Sequence, residues 1–204
     1  MNALLWHRIS TLKSIILLYI VACLLTTLLG SRFINGFSTL LTITILLSLL
    51  VLNMYEQDKQ SKWALLVNTL PITKKAQLLA DFLFCYGLCL LVFILAIPGY
   101  FALPNATSQP AEHFAIFAAH FSSLIWLISM QFYLHYADKS GNSKIFTTAI
   151  VMLIILVLNF PVHYYLALVT TSRLIILIPT FFSIIPIIIS FKKCVMHYSK
   201  QDIY

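Results

Sequence analysis

Six apolar stretches, each at or near the length that crosses a bilayer, constrain this chain more than any other feature. They run from Ser14 to Gly30, Phe37 to Tyr55, Phe82 to Phe101, Phe114 to Tyr136, Ile145 to Phe160 and Leu174 to Phe191. About 20 apolar residues are needed to span the hydrocarbon core as a helix. In lipid an unpaired backbone group costs several kcal/mol, which leaves helices as the natural solution for stretches of this length. The composition agrees: 61% of residues are hydrophobic and 9% charged, whereas a soluble domain carries about a quarter charged residues. The expected fold class is all-α: one polytopic membrane domain over residues 1–204 with six transmembrane helices.

The net charge of +7 would suit a nucleic-acid surface, but its distribution gives another reason for it. With the N-terminus in the cytoplasm, the inner loops hold Arg8, Lys13, Lys59, Lys62, Lys74, Lys75, Lys139, Lys144, Lys192, Lys193 and Lys200. Only Arg32 and Arg173 fall outside, so eleven of the thirteen basic residues are inside. Short loops obey this positive-inside bias. A multi-pass protein of the cell inner (plasma) membrane with both termini cytoplasmic is expected, and no nucleic-acid partner.

Residues 1–13 read as an interfacial helix, with Leu5, Ile9 and Leu12 on one face and Trp6 as anchor at the headgroup level; the plainer reading is a cytoplasmic extension of the first span. That span has no small-residue cleavage pattern and is read as retained. Cys23, Cys85 and Cys89 lie within predicted spans and Cys194 on the reducing side, so they read as apolar filler rather than disulfides.

Span two is rich in hydroxyls. Ser38 with Thr42, and Thr44 with Ser48, are pairs four residues apart. Such groups either bond back to their own helix carbonyls or line a helix seam or polar path. Thr73 can cap the third span, and Asp81 lies at its cytoplasmic edge within two turns of Lys74, where a local electrostatic role is expected. Span four carries Ala115, Ala119 and Ser123 at four-residue spacing, a small-residue stripe for close helix packing. His113 and His120 share a face without a third ligand, and no metal is expected. Residues 163–172, after Pro161, read as an interfacial or re-entrant piece. Pro179 and Pro186 are expected to bend or loosen span six.

Between spans two and three lies a polar-to-amphipathic island. Trp63, Leu66, Val67 and Leu70 recur at i, i+3, i+4 and i+7, one face of a helix, and Pro71 stops that helix. No phosphate-binding loop, zinc-protease or nucleophile-elbow motif occurs. The spans hold no paired carboxylates with which to couple an ion gradient. The chain is therefore not expected to be an enzyme, and no catalytic residues are assigned.

Six spans, an amphipathic N-terminal segment and the motif residues Glu56, Asp58, Lys59, Trp63, Thr69, Leu70, Pro71, Ile72, Thr73 and Lys74 resemble ABC type-2 transporter permeases, in particular small bacterial half-transporters. One departure is Asp81, near where members often carry a lysine. The resemblance implies a permease without ATPase activity, paired with a second permease half, identical or paralogous. Two copies of a separate ABC ATP-binding subunit would hold ATP and Mg, and this chain no cofactor. Residues 56–75 would form a cytoplasmic coupling loop with an amphipathic coupling helix, docked through Trp63, Leu66, Val67, Leu70 and Pro71. Ser38, Thr42, Thr44 and Ser48 would line the translocation path. Peptide-like cargo, amphipathic or antimicrobial, suits a greasy path with few fixed charges, alongside contact with membrane lipid. The alternative is a non-transporting immunity or regulatory protein that binds a cytoplasmic partner through residues 56–75.

Overall fold

The computed structural model describes residues 2–33, 36–61, 63, 72–101, 110–137, 144–170 and 172–199. They form α1 (Asn2–Phe33), α2 (Gly36–Gln60), α3 (Lys74–Phe101), α4 (Pro110–Ala137), α5 (Lys144–Val169), α6 (Arg173–Phe182) and α7 (Ile184–Ser199), with no strand among the described residues. α1, α2, α3, α4 and the α6–α7 pair are long and apolar enough to cross a membrane. α5 has a shorter apolar stretch, Leu153–Val169, yet its 26 residues reach about 39 Å at 1.5 Å per residue. The chain is an all-α, multi-pass membrane protein.

α4 is the hub. It packs against α2, α3, α5, α6 and α7, while α1 lies across α2 and α3. The main core joins Leu47, Met54, Phe82, Cys85, Phe93, Ile128 and Phe132. Outside it, residues such as Leu17, Leu90, Leu158 and Ile189 remain exposed, the apolar exterior that lipid requires. The small stripe of α4 is buried throughout, with Ala115, Ala119 and Ser123 at most 1% exposed. Ala115 packs with Ala167 of α5 and Ile176 of α6.

Three local expectations change. Residues 2–13 are not a separate helix; they run into the first span as the opening turns of α1. Residues 163–169 are not re-entrant but complete α5, which passes through Pro161. A proline inside a helix costs about 3 kcal/mol, but unwinding there would bare several backbone groups to lipid, which costs more. The His163 ring, bonded to the Asn159 carbonyl at 2.9 Å and to Thr180 Oγ1 at 3.1 Å, further secures the segment. Span two also reaches further than its apolar run, because α2 takes in Glu56, Asp58 and Lys59.

The last span, expected to bend or loosen at its prolines, runs through Pro179 and is interrupted before Pro186. α6 ends at Ser183, whose N–H bonds the Thr180 carbonyl at 3.1 Å. Pro186, three residues on, has no N–H to offer the Phe182 carbonyl. Ser183 Oγ instead meets Ser122 Oγ of α4 at 2.6 Å, and Ser122 also reaches Asn159 of α5 at 3.3 Å. This interhelical polar contact holds the break in place.

Candidate functional site

The two ion pairs among the described residues share one end of the bundle, and both belong to Arg8. On α1 the residues buried against the bundle include Leu4, Arg8, Leu12, Tyr19, Cys23 and Thr27. Residues spaced by four, or by seven, share a helix face, and Arg8 therefore sits in the middle of the buried stripe. The sequence pattern grouped Leu5, Ile9 and Leu12 on one face; of these Leu12 is buried and Leu5 packs against the core. The structure exposes Ile9 at 43% and Trp6 at 71% and turns the guanidinium inward. The reason is the solvent: in a membrane the apolar side chains can face out, and a charge gains most by facing its partners.

Arg8 has two partners. Its Nη1 and Nη2 hold both carboxylate oxygens of Asp58 on α2 in a bidentate pair, the Nη2–Oδ2 distance being 2.7 Å. Its Nε donates to Asp81 Oδ1 on α3 at 2.7 Å. Planar, two-sided donation of this kind is what guanidinium geometry allows and an ammonium does not. Tyr136 of α4 donates to the second Asp81 oxygen at 3.2 Å. The Asp81 side chain is 1% exposed, against 17% for Asp58. Asp81 does have an electrostatic role, but with Arg8, 73 positions away; Lys74 lies over the Tyr198 ring instead.

Neighbouring contacts extend the joint. Tyr198 of α7 donates to Gln77 of α3 at 2.9 Å, and its ring lies 5.0 Å from Tyr136. Gln57 donates to the Thr11 carbonyl at 3.1 Å. Residues from α1, α2, α3, α4 and α7 thus meet at one end, where the first turns of α1 and the last turns of α7 lie together. Thr73 caps α3 as expected, its Oγ1 accepting from the Ala76 N–H at 3.2 Å.

Trp63 belongs to the same assembly. It is 6% exposed, packed with Leu4 and Ala80. Its ring stacks on His7 at 3.9 Å with 10° between planes, and the Arg8 guanidinium carbon lies 5.6 Å from its centroid. Leu66, Val67, Leu70 and Pro71 lie outside the described residues, so of the five expected docking positions the structure places Trp63, and it places it against α1. The hydroxyls of α2 separate. Thr44 and Ser48 are buried and donate to the carbonyls of Leu40 at 2.8 Å and Ile45 at 2.7 Å. Thr42 points outward, and the Ser38 side chain lies outside the described set.

The sequence that builds this bundle matches a known family over nearly its full length. Residues 3–199 match the family model described as ABC-2 family transporter protein. The chain belongs to the ABC-2 transporter family. No curated protein and no solved structure matches it. As an ABC-2 permease it is a membrane transport component that works with an ABC ATPase subunit rather than a catalyst itself.

Sequence reasoning missed the Arg8–Asp58–Asp81 joint. A usable signal was present: Leu4, Arg8 and Leu12 recur every four residues, and three charges stand at the edges of three consecutive apolar runs. An ionisable residue at such an edge calls for a named partner, and neighbours in sequence were the wrong place to look.

Proposed function

We propose that this ABC-2 permease receives motion from its ATPase through residues 56–75, with both termini and that segment in the cytoplasm. The observation that carries the reading is the position of Arg8. Asp58 precedes the segment and Asp81 follows it, and one guanidinium holds both. A push on the segment between them therefore acts on α1, α2 and α3 together. Leu66, Val67, Leu70 and Pro71 dock on the ATPase, and Trp63 anchors the segment to α1. Two ATPase subunits bind ATP and Mg, and two permease halves, identical or paralogous, form the pathway.

The cargo is amphipathic or hydrophobic and peptide-like. Among the described residues the ionised side chains stand near the two ends of the bundle, so its middle offers few fixed charges to a hydrophilic solute. Ser38 and Thr42 border the path shared with the second half, Thr42 being exposed on α2, and Thr44 and Ser48 support it from inside. The test is co-purification of the ATPase with the permease. Leu66→Asp with Val67→Asp abolishes it while membrane insertion is retained, since aliphatic anchors in a pocket dominate such contacts. Undiminished co-purification refutes the docking role. Stimulation of ATPase activity by an amphipathic peptide in reconstituted vesicles separates a transporter from a non-transporting partner-binding protein.

A further inference from the structure

A groove between α4 and α7 opens sideways, away from the bundle core. Trp126, Met130 and Tyr133 form its α4 wall, and Ile185, Ile189 and Lys193 its α7 wall. It holds about 280 Å³, nearly twice the ~150 Å³ apolar cavity that accepts benzene. The two helices run in the same direction, because Tyr136 and Tyr198 near their C-terminal ends are in ring contact. From Ile185 to Lys193 the groove therefore extends about 12 Å along α7, toward the end that carries both termini.

Its lining is apolar along the length and cationic at the mouth. The hydroxyls at its floor are already engaged: Ser190 donates to the Ser129 carbonyl, and Ser129 Oγ meets Tyr86 Oη at 2.6 Å. Lys193 is exposed and makes no ion pair among the described residues. α7 contains no acid, and α4 has none after Glu112. The groove fits one extended hydrocarbon chain lying beneath one anion.

We propose that this groove binds an anionic phospholipid from the leaflet at the termini-bearing end, with an acyl chain along Trp126, Met130 and Ile189 and the phosphate on Lys193. The lysine stem lies along the groove and carries its ammonium to the headgroup level. A basic residue near an anionic surface contributes about 1 kcal/mol, equivalent to about fivefold in affinity.

The full-length protein in nanodiscs of phosphatidylcholine and phosphatidylglycerol, probed with spin-labelled forms of each lipid, provides the test. Wild type retains a motionally restricted phosphatidylglycerol component in preference to phosphatidylcholine. Lys193→Ala lowers that preference about fivefold, whereas Lys192→Ala, the same charge change about 100° around the helix, leaves it intact. Ile189→Trp fills the slot and removes the restricted component with Lys193 still present. Equal effects of the two lysine variants mean a diffuse surface attraction and overturn the proposal. So does a restricted component that survives Ile189→Trp, or a disulfide between two copies of Met130→Cys, which puts a second chain in the groove.

Discussion

Arg8→Ala is the most informative perturbation of this permease. Among the described residues the Arg8 guanidinium is the cation bonded to both Asp58 and Asp81, so its removal leaves two carboxylates without that shared positive partner. The two do not suffer equally. Asp58, 17% exposed, can recover water, whereas Asp81, at 1%, keeps the Tyr136 hydroxyl as its hydrogen-bond partner among the described residues. Breaking a buried pair by removing one partner costs about 3–5 kcal/mol, mostly as the penalty of the orphaned charge. At about 2–4 °C per kcal/mol for a chain of this size, the melting temperature falls by about 6–20 °C. Asp81→Asn alone is milder, because Arg8 keeps its bidentate pair with Asp58 and the remaining pair is neutral. Adding Asp81→Asn to Arg8→Ala recovers part of the loss, so the two changes are strongly non-additive. Thermal unfolding of the four proteins in one detergent measures the cycle. An Arg8→Ala shift under 2 °C, or Asp81→Asn as damaging as Arg8→Ala, refutes the reasoning.

The break in the last span and the orientation of the bundle give two further outcomes. Pro186→Ala restores an N–H that can reach the Phe182 carbonyl and removes an interior proline worth up to about 3 kcal/mol; α6 and α7 then join, and amide exchange around residues 182–186 slows, whereas unchanged exchange places the cause of the break at Ser183 and its bond to Ser122. For topology, the native cysteines are buried, so a charged thiol reagent reports on introduced ones: Ser61→Cys reacts only from the cytoplasmic side of intact cells or vesicles and Arg173→Cys only from the other, and the reverse pattern inverts the proposed orientation.

Much of this architecture was legible because hydropathy is a property of consecutive residues. Apolar runs announce helices of span length whatever they pack against, and the break at Ser183 follows from the N–H that Pro186 lacks, although α6 runs through Pro179. Pro161 shows the limit of that local rule, since the same defect is tolerated where the alternative is bare backbone in lipid. The orientation of α1 was not legible, since the usual sense of an amphipathic pattern reverses when the surroundings are apolar. Leu5 and Leu12 of the expected face do pack on the core, but Ile9 between them faces out while Arg8 faces in toward its carboxylates.

By itself the sequence determined an all-helical membrane protein, the segment between its second and third spans, and the cap at Thr73, because each depends on residues within a few turns of one another. Only the tertiary structure decided that Arg8 joins Asp58 to Asp81, that Trp63 lies on His7, and that Lys193 lines a groove with Trp126 and Tyr133. Those pairings join residues far apart in the chain, and which charge meets which is set by how the helices cross, information that no periodicity along a single helix contains.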